Sequence, residues 1–61
     1  MSNKCREHLA GIIQLSEQLI KLATEGYDIC DDDKCMALYG LILDSGYNLK
    51  MATQKRLEEL E

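Results

Sequence analysis

Two stretches of the chain carry apolar residues at alternating spacings of three and four. In the first stretch this stripe consists of Cys5, His8, Ile12, Leu15, Leu19 and Leu22. In the second stretch it consists of Cys35, Leu38, Ile42, Ser45, Leu49 and Ala52. Apolar residues at this spacing share one face of an α-helix. The pattern therefore predicts an all-α fold with two amphipathic helices.

Glycine and aspartate residues set the expected helix boundaries. Gly26 is expected in the left-handed position that often follows the last residue of a helix, so the first helix is predicted over about 3–25. Asp31 is expected to cap the second helix through its side-chain oxygen. The connection is then about 26–31 and the second helix about 32–60.

The segment CDDDKC, Cys30 to Cys35, fits the start of that second helix. Asp32 and Asp33 follow the expected cap, where carboxylates face the positive end of the helix dipole. Cys30 and Cys35 occupy the two positions that pack together in a hydrophobic staple. Each residue of the segment therefore has a structural role that requires no cofactor.

A short connection between two helices predicts an antiparallel hairpin. Folding the chain near residue 28 pairs residues whose numbers add to about 57, for example Leu19 with Leu38 and Leu15 with Ile42. This fold point keeps the two stripes in phase along their length. The phase also runs through LDSGYN without a slip, which favours a continuous second helix over a break at Gly46.

A second apolar stripe runs beside the first on each helix, and in an antiparallel pair both second stripes lie on one side. We expect these residues at a dimer interface: Leu9, Ile13, Ile20, Met36, Tyr39, Leu43, Gly46 and Leu57. A chain this short has a marginal core, and an exposed apolar face usually marks an interface. The expected assembly is a homodimer that forms a four-helix bundle.

Charge suggests a head-to-tail orientation for the two hairpins of this dimer. The connecting end carries the acidic residues Glu25, Asp28, Asp31, Asp32 and Asp33. The terminal end carries the basic residues Lys4, Arg6, Lys50, Lys55 and Arg56. Each exposed ion pair contributes only about 0.2–1 kcal/mol, so charge biases the orientation without creating the dimer.

Composition narrows the function classes. The chain has 61 residues, expected to form a single domain over 1–61, and a net charge of −4, which argues against nucleic acid as a partner. It has no apolar run of membrane-spanning length and no secretory signal pattern, so we expect no membrane association, a cytoplasmic location and reduced cysteines. With one histidine and no catalytic motif, an enzyme is not expected.

Four residues could bind a metal ion: Cys5, His8, Cys30 and Cys35. In a head-to-tail dimer the terminal pair of one subunit approaches the connecting pair of the other, which gives the Cys₃His ligand set of a structural zinc site. A thiol redox switch at Cys30 and Cys35 is another interpretation, although neighbouring aspartates disfavour the thiolate. The simplest alternative is that the cysteines fill small apolar positions.

These observations predict a regulatory or adaptor module that binds another protein. Tyr47 and Met51 lie away from both apolar stripes and are possible partner contacts. The alternative function is a metal-binding or thiol-redox module that uses the four Cys and His residues.

Overall fold

The computed structural model describes residues 3–60, which form two α-helices packed side by side as a hairpin. The helices are α1, Asn3–Ile29, and α2, Asp33–Glu59. The hairpin is 46 Å long and about 13 Å across. The predicted all-α, two-helix architecture is confirmed.

Helix α1 continues one turn beyond its predicted end. Gly26 lies inside the helix, and no residue between 3 and 60 has a positive φ, so the predicted left-handed cap at Gly26 was wrong. The glycine has a different role here. A methyl group at Gly26 would lie 2.5 Å from ring atom Cε1 of Tyr39, so its absence leaves room for that ring against α1.

Helix α2 begins one residue later than predicted and is continuous. The N-cap is Asp32 rather than Asp31, and its carboxylate accepts a hydrogen bond from the Lys34 backbone N–H at 2.9 Å. Asp33 occupies the first turn. The helix passes through Gly46 without interruption, which confirms the continuous helix over the broken one.

The helices pair in a different register from the predicted one. A methyl group at Gly46 would lie 2.9 Å from Cγ1 of Ile20, which places these two residues face to face. At the open end of the hairpin, Arg6 Nη2 donates a hydrogen bond to the Leu60 carbonyl oxygen. The numbers of facing residues add to about 66 rather than 57, and the connection, residues 30–32, lies later in the chain than predicted, which shifts the total in this direction.

This register exchanges the roles of the two apolar stripes. Small residues fill the closest part of the helix contact: Ser16, Ala23 and Gly46 are the buried residues within 3–60. Gly46 is one of the eight residues expected at the dimer interface, and the other seven flank the buried residues in the same contact, where they are partly buried inside one chain. The eight residues predicted at a dimer interface, Leu9, Ile13, Ile20, Met36, Tyr39, Leu43, Gly46 and Leu57, therefore lie along the contact between α1 and α2 of one chain, and their role between chains stays a prediction.

Candidate functional site

One side of the hairpin carries a row of exposed leucine and isoleucine side chains, which we call the apolar face. It consists of Ile12, Leu15, Leu19, Leu22, Leu38 and Leu49. Leu15 and Leu22 are about two-thirds exposed, at 66% and 65%. These residues belong to the stripe that was predicted to hold the two helices together. No helix within residues 3–60 is both long and apolar enough to cross a membrane.

Helical geometry explains why the two halves of the apolar face lie on the same side. Successive residues of an α-helix are rotated by about 100°. On each helix the exposed stripe is therefore displaced by roughly 90° from the stripe in the helix contact. Because α2 runs opposite to α1, the two displacements point the same way. The result is one surface formed by both helices.

The accessible surface of the hairpin is large for its mass. It measures 4838 Å², whereas a compact monomer of 6.9 kDa has about 4,000 Å². No large side chain within residues 3–60 is fully buried. The difference reflects the elongated shape of a two-helix hairpin, 46 Å long and about 13 Å across, which leaves most side chains on the surface.

Two cysteines surround Asp32 at the connecting end of the hairpin. The Cys30 thiol donates a hydrogen bond to the Asp32 carbonyl oxygen at 3.2 Å, and its sulfur accepts from the Asp32 N–H at 3.5 Å. The Cys35 thiol donates to Asp32 Oδ2 at 3.7 Å. One N-cap residue thus holds both sulfur atoms near the start of α2, and neither cysteine forms a disulfide.

The negative charge of Asp32 raises the pKa of the Cys35 thiol above its ordinary value of 9.0, and the neighbouring Cys30 adds to this shift. A raised pKa keeps the thiol protonated at neutral pH. Because the thiolate is the reactive form in thiol exchange, this environment disfavours redox reactivity at Cys35. The same negative surroundings attract cations.

Cys5 and His8 lie one helical turn apart at the opposite end of the hairpin. His8 is exposed, and its Nδ1 is 2.7 Å from the Lys4 carbonyl oxygen. A carbonyl oxygen can only accept, so Nδ1 is the donor in this contact, and in the neutral ring Nε2 is then the nitrogen with a free lone pair. Cys5 is partly buried and is a free thiol. Within one chain these two residues do not approach Cys30 and Cys35.

The predicted partner contacts lie on the side of the hairpin away from the apolar face. Tyr47 is 51% exposed and Met51 is 65% exposed. They are one helical turn apart on α2, so their side chains are neighbours. The two exposed side chains form a second, smaller apolar surface.

Comparison of the chain with family models, with curated proteins and with solved structures gives no match. Within residues 3–60 of a single chain, no three His, Cys, Asp or Glu side chains are arranged to hold a metal ion. The four predicted ligands are therefore present as two separate pairs.

Sequence reasoning missed the structural role of the small residues in α1. Ser16 and Ala23 are seven residues apart and mark the line of closest helix approach. The Ser16 hydroxyl donates to the Ile13 carbonyl oxygen at 2.7 Å, which satisfies it within its own helix. The signal was available, because small residues on a helix face permit close packing of a neighbouring helix.

Proposed function

We propose that this chain is a non-enzymatic, cytoplasmic module for protein–protein interaction, with a regulatory or adaptor role, and that a second copy of the chain covers the apolar face. The assembly is a four-helix bundle made of two hairpins. The observation that carries this proposal is the continuous apolar face on a hairpin that has almost no core. Burying this face in a dimer supplies the core that the single chain lacks.

The composition of the face fits a second copy better than a small ligand. The face is open along the hairpin and consists of aliphatic side chains from both helices. Small-molecule sites are usually concave, whereas an extended aliphatic surface matches another helical layer. A twofold dimer requires a surface that is complementary to itself, and rows of leucine on two antiparallel helices meet that requirement.

Charge favours the head-to-tail orientation. The acidic aspartates of residues 31–33 lie at one end of the hairpin, and Arg6, Lys55 and Arg56 lie towards the other. Arg56 follows the stripe of the apolar face, and its ion pair within the chain is with Glu59 at 3.4 Å. In a head-to-tail dimer the basic end of each hairpin lies beside the acidic end of its partner, whereas a parallel dimer places the two acidic ends together.

The dimer would present two copies of the surface formed by Tyr47 and Met51. Because this surface lies opposite the apolar face, it points outward from both layers of the bundle. Two identical outward surfaces suit an adaptor that binds a partner bivalently, since the second contact is then intramolecular and raises the apparent affinity.

The proposal is tested by measuring the mass of the protein in solution with one matched pair of substitutions. Sedimentation equilibrium at micromolar concentration is expected to give a dimer for the unaltered chain. Leu15→Lys removes an aliphatic side chain from each subunit and places a charge in the interface. Each buried leucine contributes about 1.5–3 kcal/mol, and the dimer loses two of them. The dissociation constant of the dimer is therefore expected to rise by at least about 100-fold.

Met51→Lys is the control, because Met51 has nearly the same exposure as Leu15, 65% against 66%, but lies on the other side. This variant is expected to remain dimeric with unchanged helix content. If Leu15→Lys unfolds, the milder Leu15→Ala variant provides the same comparison through the concentration dependence of melting. A folded monomer for the unaltered chain, or equal effects of the two lysine substitutions, contradicts the proposal.

A further inference from the structure

The two separate pairs of metal-ligand residues have complementary properties. At the connecting end Asp32 holds the sulfur atoms of Cys30 and Cys35 near each other. At the terminal end His8 has its proton fixed on Nδ1, which leaves Nε2 free to bind. A metal-bound histidine commonly donates its other ring N–H to a carbonyl group, and His8 already makes this contact. Each pair is thus half of a four-ligand set.

Distance prevents the halves from meeting within one chain, because they lie at opposite ends of a hairpin 46 Å long. The head-to-tail dimer proposed above removes this separation. A twofold axis through the middle of the apolar face aligns α1 with the partner's α1 so that facing residue numbers add to about 37. This alignment places Leu15 opposite the partner's Leu22. It also places His8 level with the partner's Cys30.

The same axis also fixes the register of α2. Because facing residue numbers inside the hairpin add to about 66, an α1 total of about 37 corresponds to an α2 total of about 95. Ser45 then lies close to the level of the partner's Leu49, and Ile42 lies close to the level of the partner's Ala52.

The positions of the side chains agree with the alignment. Cys5 and His8 continue the α1 stripe of the apolar face towards one end of the hairpin, and Cys35 continues the α2 stripe towards the other end. His8 is rotated by roughly 60° from Cys5, away from the helix contact. Cys30 lies in the connection, where it and Cys35 are both hydrogen-bonded to Asp32. Each pair therefore lies at one end of the surface that the second copy is proposed to cover.

We propose that the head-to-tail dimer binds two zinc ions, one at each end, each held by Cys30 and Cys35 of one chain and by Cys5 and His8 of its partner. The inference rests on the proposed dimer. Four ligands of this kind make a closed, tetrahedral, structural site. On binding, the three thiols each release a proton to solvent and coordinate as thiolates, while neutral His8 binds through Nε2. Asp31, Asp32 and Asp33 add negative charge that favours the cation.

The experiment uses the full chain, purified with a non-thiol reductant and freed of metal, and titrates it with Co²⁺ and then Zn²⁺. Cobalt is expected to give the visible absorption of a tetrahedral site and thiolate charge-transfer bands, saturating at one ion per chain. Zinc is expected to displace the cobalt and to raise the melting temperature. Mass is measured on the same samples.

Two variants show whether the site is shared between chains. His8→Ala and Cys35→Ser are each expected to abolish the tetrahedral cobalt spectrum when tested alone. When the two variants are mixed, dissociated and reassociated, half of the dimers are mixed, and each mixed dimer has one intact site. The mixture is therefore expected to recover about one quarter of the cobalt absorption of the unaltered protein.

Each outcome decides one part of the inference. A dimer without tetrahedral cobalt binding overturns the metal site and leaves the proposed function intact. Binding that is lost in both variants but not recovered in the mixture overturns the sharing of the site between chains. A monomer overturns the proposed function and the shared site together. Recovery in the mixture supports both.

Discussion

Substitution of Gly46 by alanine tests the register on which the apolar face depends. Gly46 is buried at the line of closest helix approach, and an added methyl group would lie 2.9 Å from Cγ1 of Ile20. The position of this atom is set by χ1, and isoleucine in a helix strongly prefers one χ1 rotamer. Gly40 lies in the same helix, and a methyl group there would meet no atom within 4 Å. The two glycines form a matched pair.

Gly40→Ala is expected to stabilise the protein, whereas Gly46→Ala is not. Replacing glycine by alanine in the interior of a helix stabilises it by about 1 kcal/mol, and Gly40→Ala is expected to show this gain. Gly46→Ala has the same helical gain, but overpacking a close contact costs about 1–3 kcal/mol. The free energy of unfolding of Gly46→Ala is therefore expected to be about 1–3 kcal/mol lower than that of Gly40→Ala. For a domain of this size the difference corresponds to at least about 4 °C in melting temperature.

The assay is urea and thermal unfolding of both variants, followed by circular dichroism at one fixed chain concentration. Fixed concentration matters because the stability of a dimer depends on it. Gly11→Ala extends the comparison, since a methyl group at Gly11 also meets no atom within 4 Å. Equal stabilisation by Gly46→Ala and Gly40→Ala would refute the register, and the apolar face would then have to be assigned again.

Two further predictions concern the start of α2. Asp32→Ala is expected to destabilise the protein by about 1 kcal/mol through loss of the N-cap. Asp32→Asn keeps a capping oxygen and is expected to change stability by much less. Similar losses for the two variants in urea unfolding would argue against the cap. Alkylation of Cys35, followed by peptide mass spectrometry across a pH series, is expected to require higher pH than alkylation of an unstructured cysteine, because Asp32 raises the pKa of this thiol above 9.0. The Cys35 thiol therefore loses its proton at lower pH in the unfolded chain than in the folded one, so the free energy of unfolding falls as pH rises through the pKa of the folded state. Asp32→Asn is expected to shift the pH profiles of alkylation and of stability to lower pH. An unchanged alkylation profile in Asp32→Asn would contradict this assignment.

The sequence was sufficient to predict the hairpin, because both helices carry long apolar stripes at helical spacing. The absence of proline and the helix-start character of CDDDKC placed the connection within a few residues. The error arose at Gly26, where a glycine near the end of a helix suggested a left-handed cap. The backbone there is helical, and the glycine makes room for Tyr39 instead. Local signals could not reveal this, since the reason for the glycine lies in the other helix.

One local error shifted the pairing along the whole hairpin. Ending α1 before Gly26 moved the expected fold point from between residues 32 and 33 to about residue 28. In an antiparallel pair such a shift changes the sum of facing residue numbers by twice its size. The predicted register therefore put the stripe of Leu15 in the contact between the helices. In the structure the stripe of Ile20 occupies that contact. The hairpin places Cys30 and Cys35 beside Asp32 and places Cys5 and His8 one helical turn apart at the opposite end, and the role of these four residues as metal ligands stays a prediction.

Side-chain size explains which stripe the hairpin uses internally. Both stripes are apolar, so burial alone does not distinguish them. The internal stripe contains Ser16, Ala23 and Gly46, which let the two helix axes approach closely, and the three-residue connection requires a close approach. The apolar face carries leucine and isoleucine, which suit the wider space between the two helical layers of the proposed dimer. The chain thus places its small residues where the connection holds the helices together and its large residues where a second copy can supply the rest of the core.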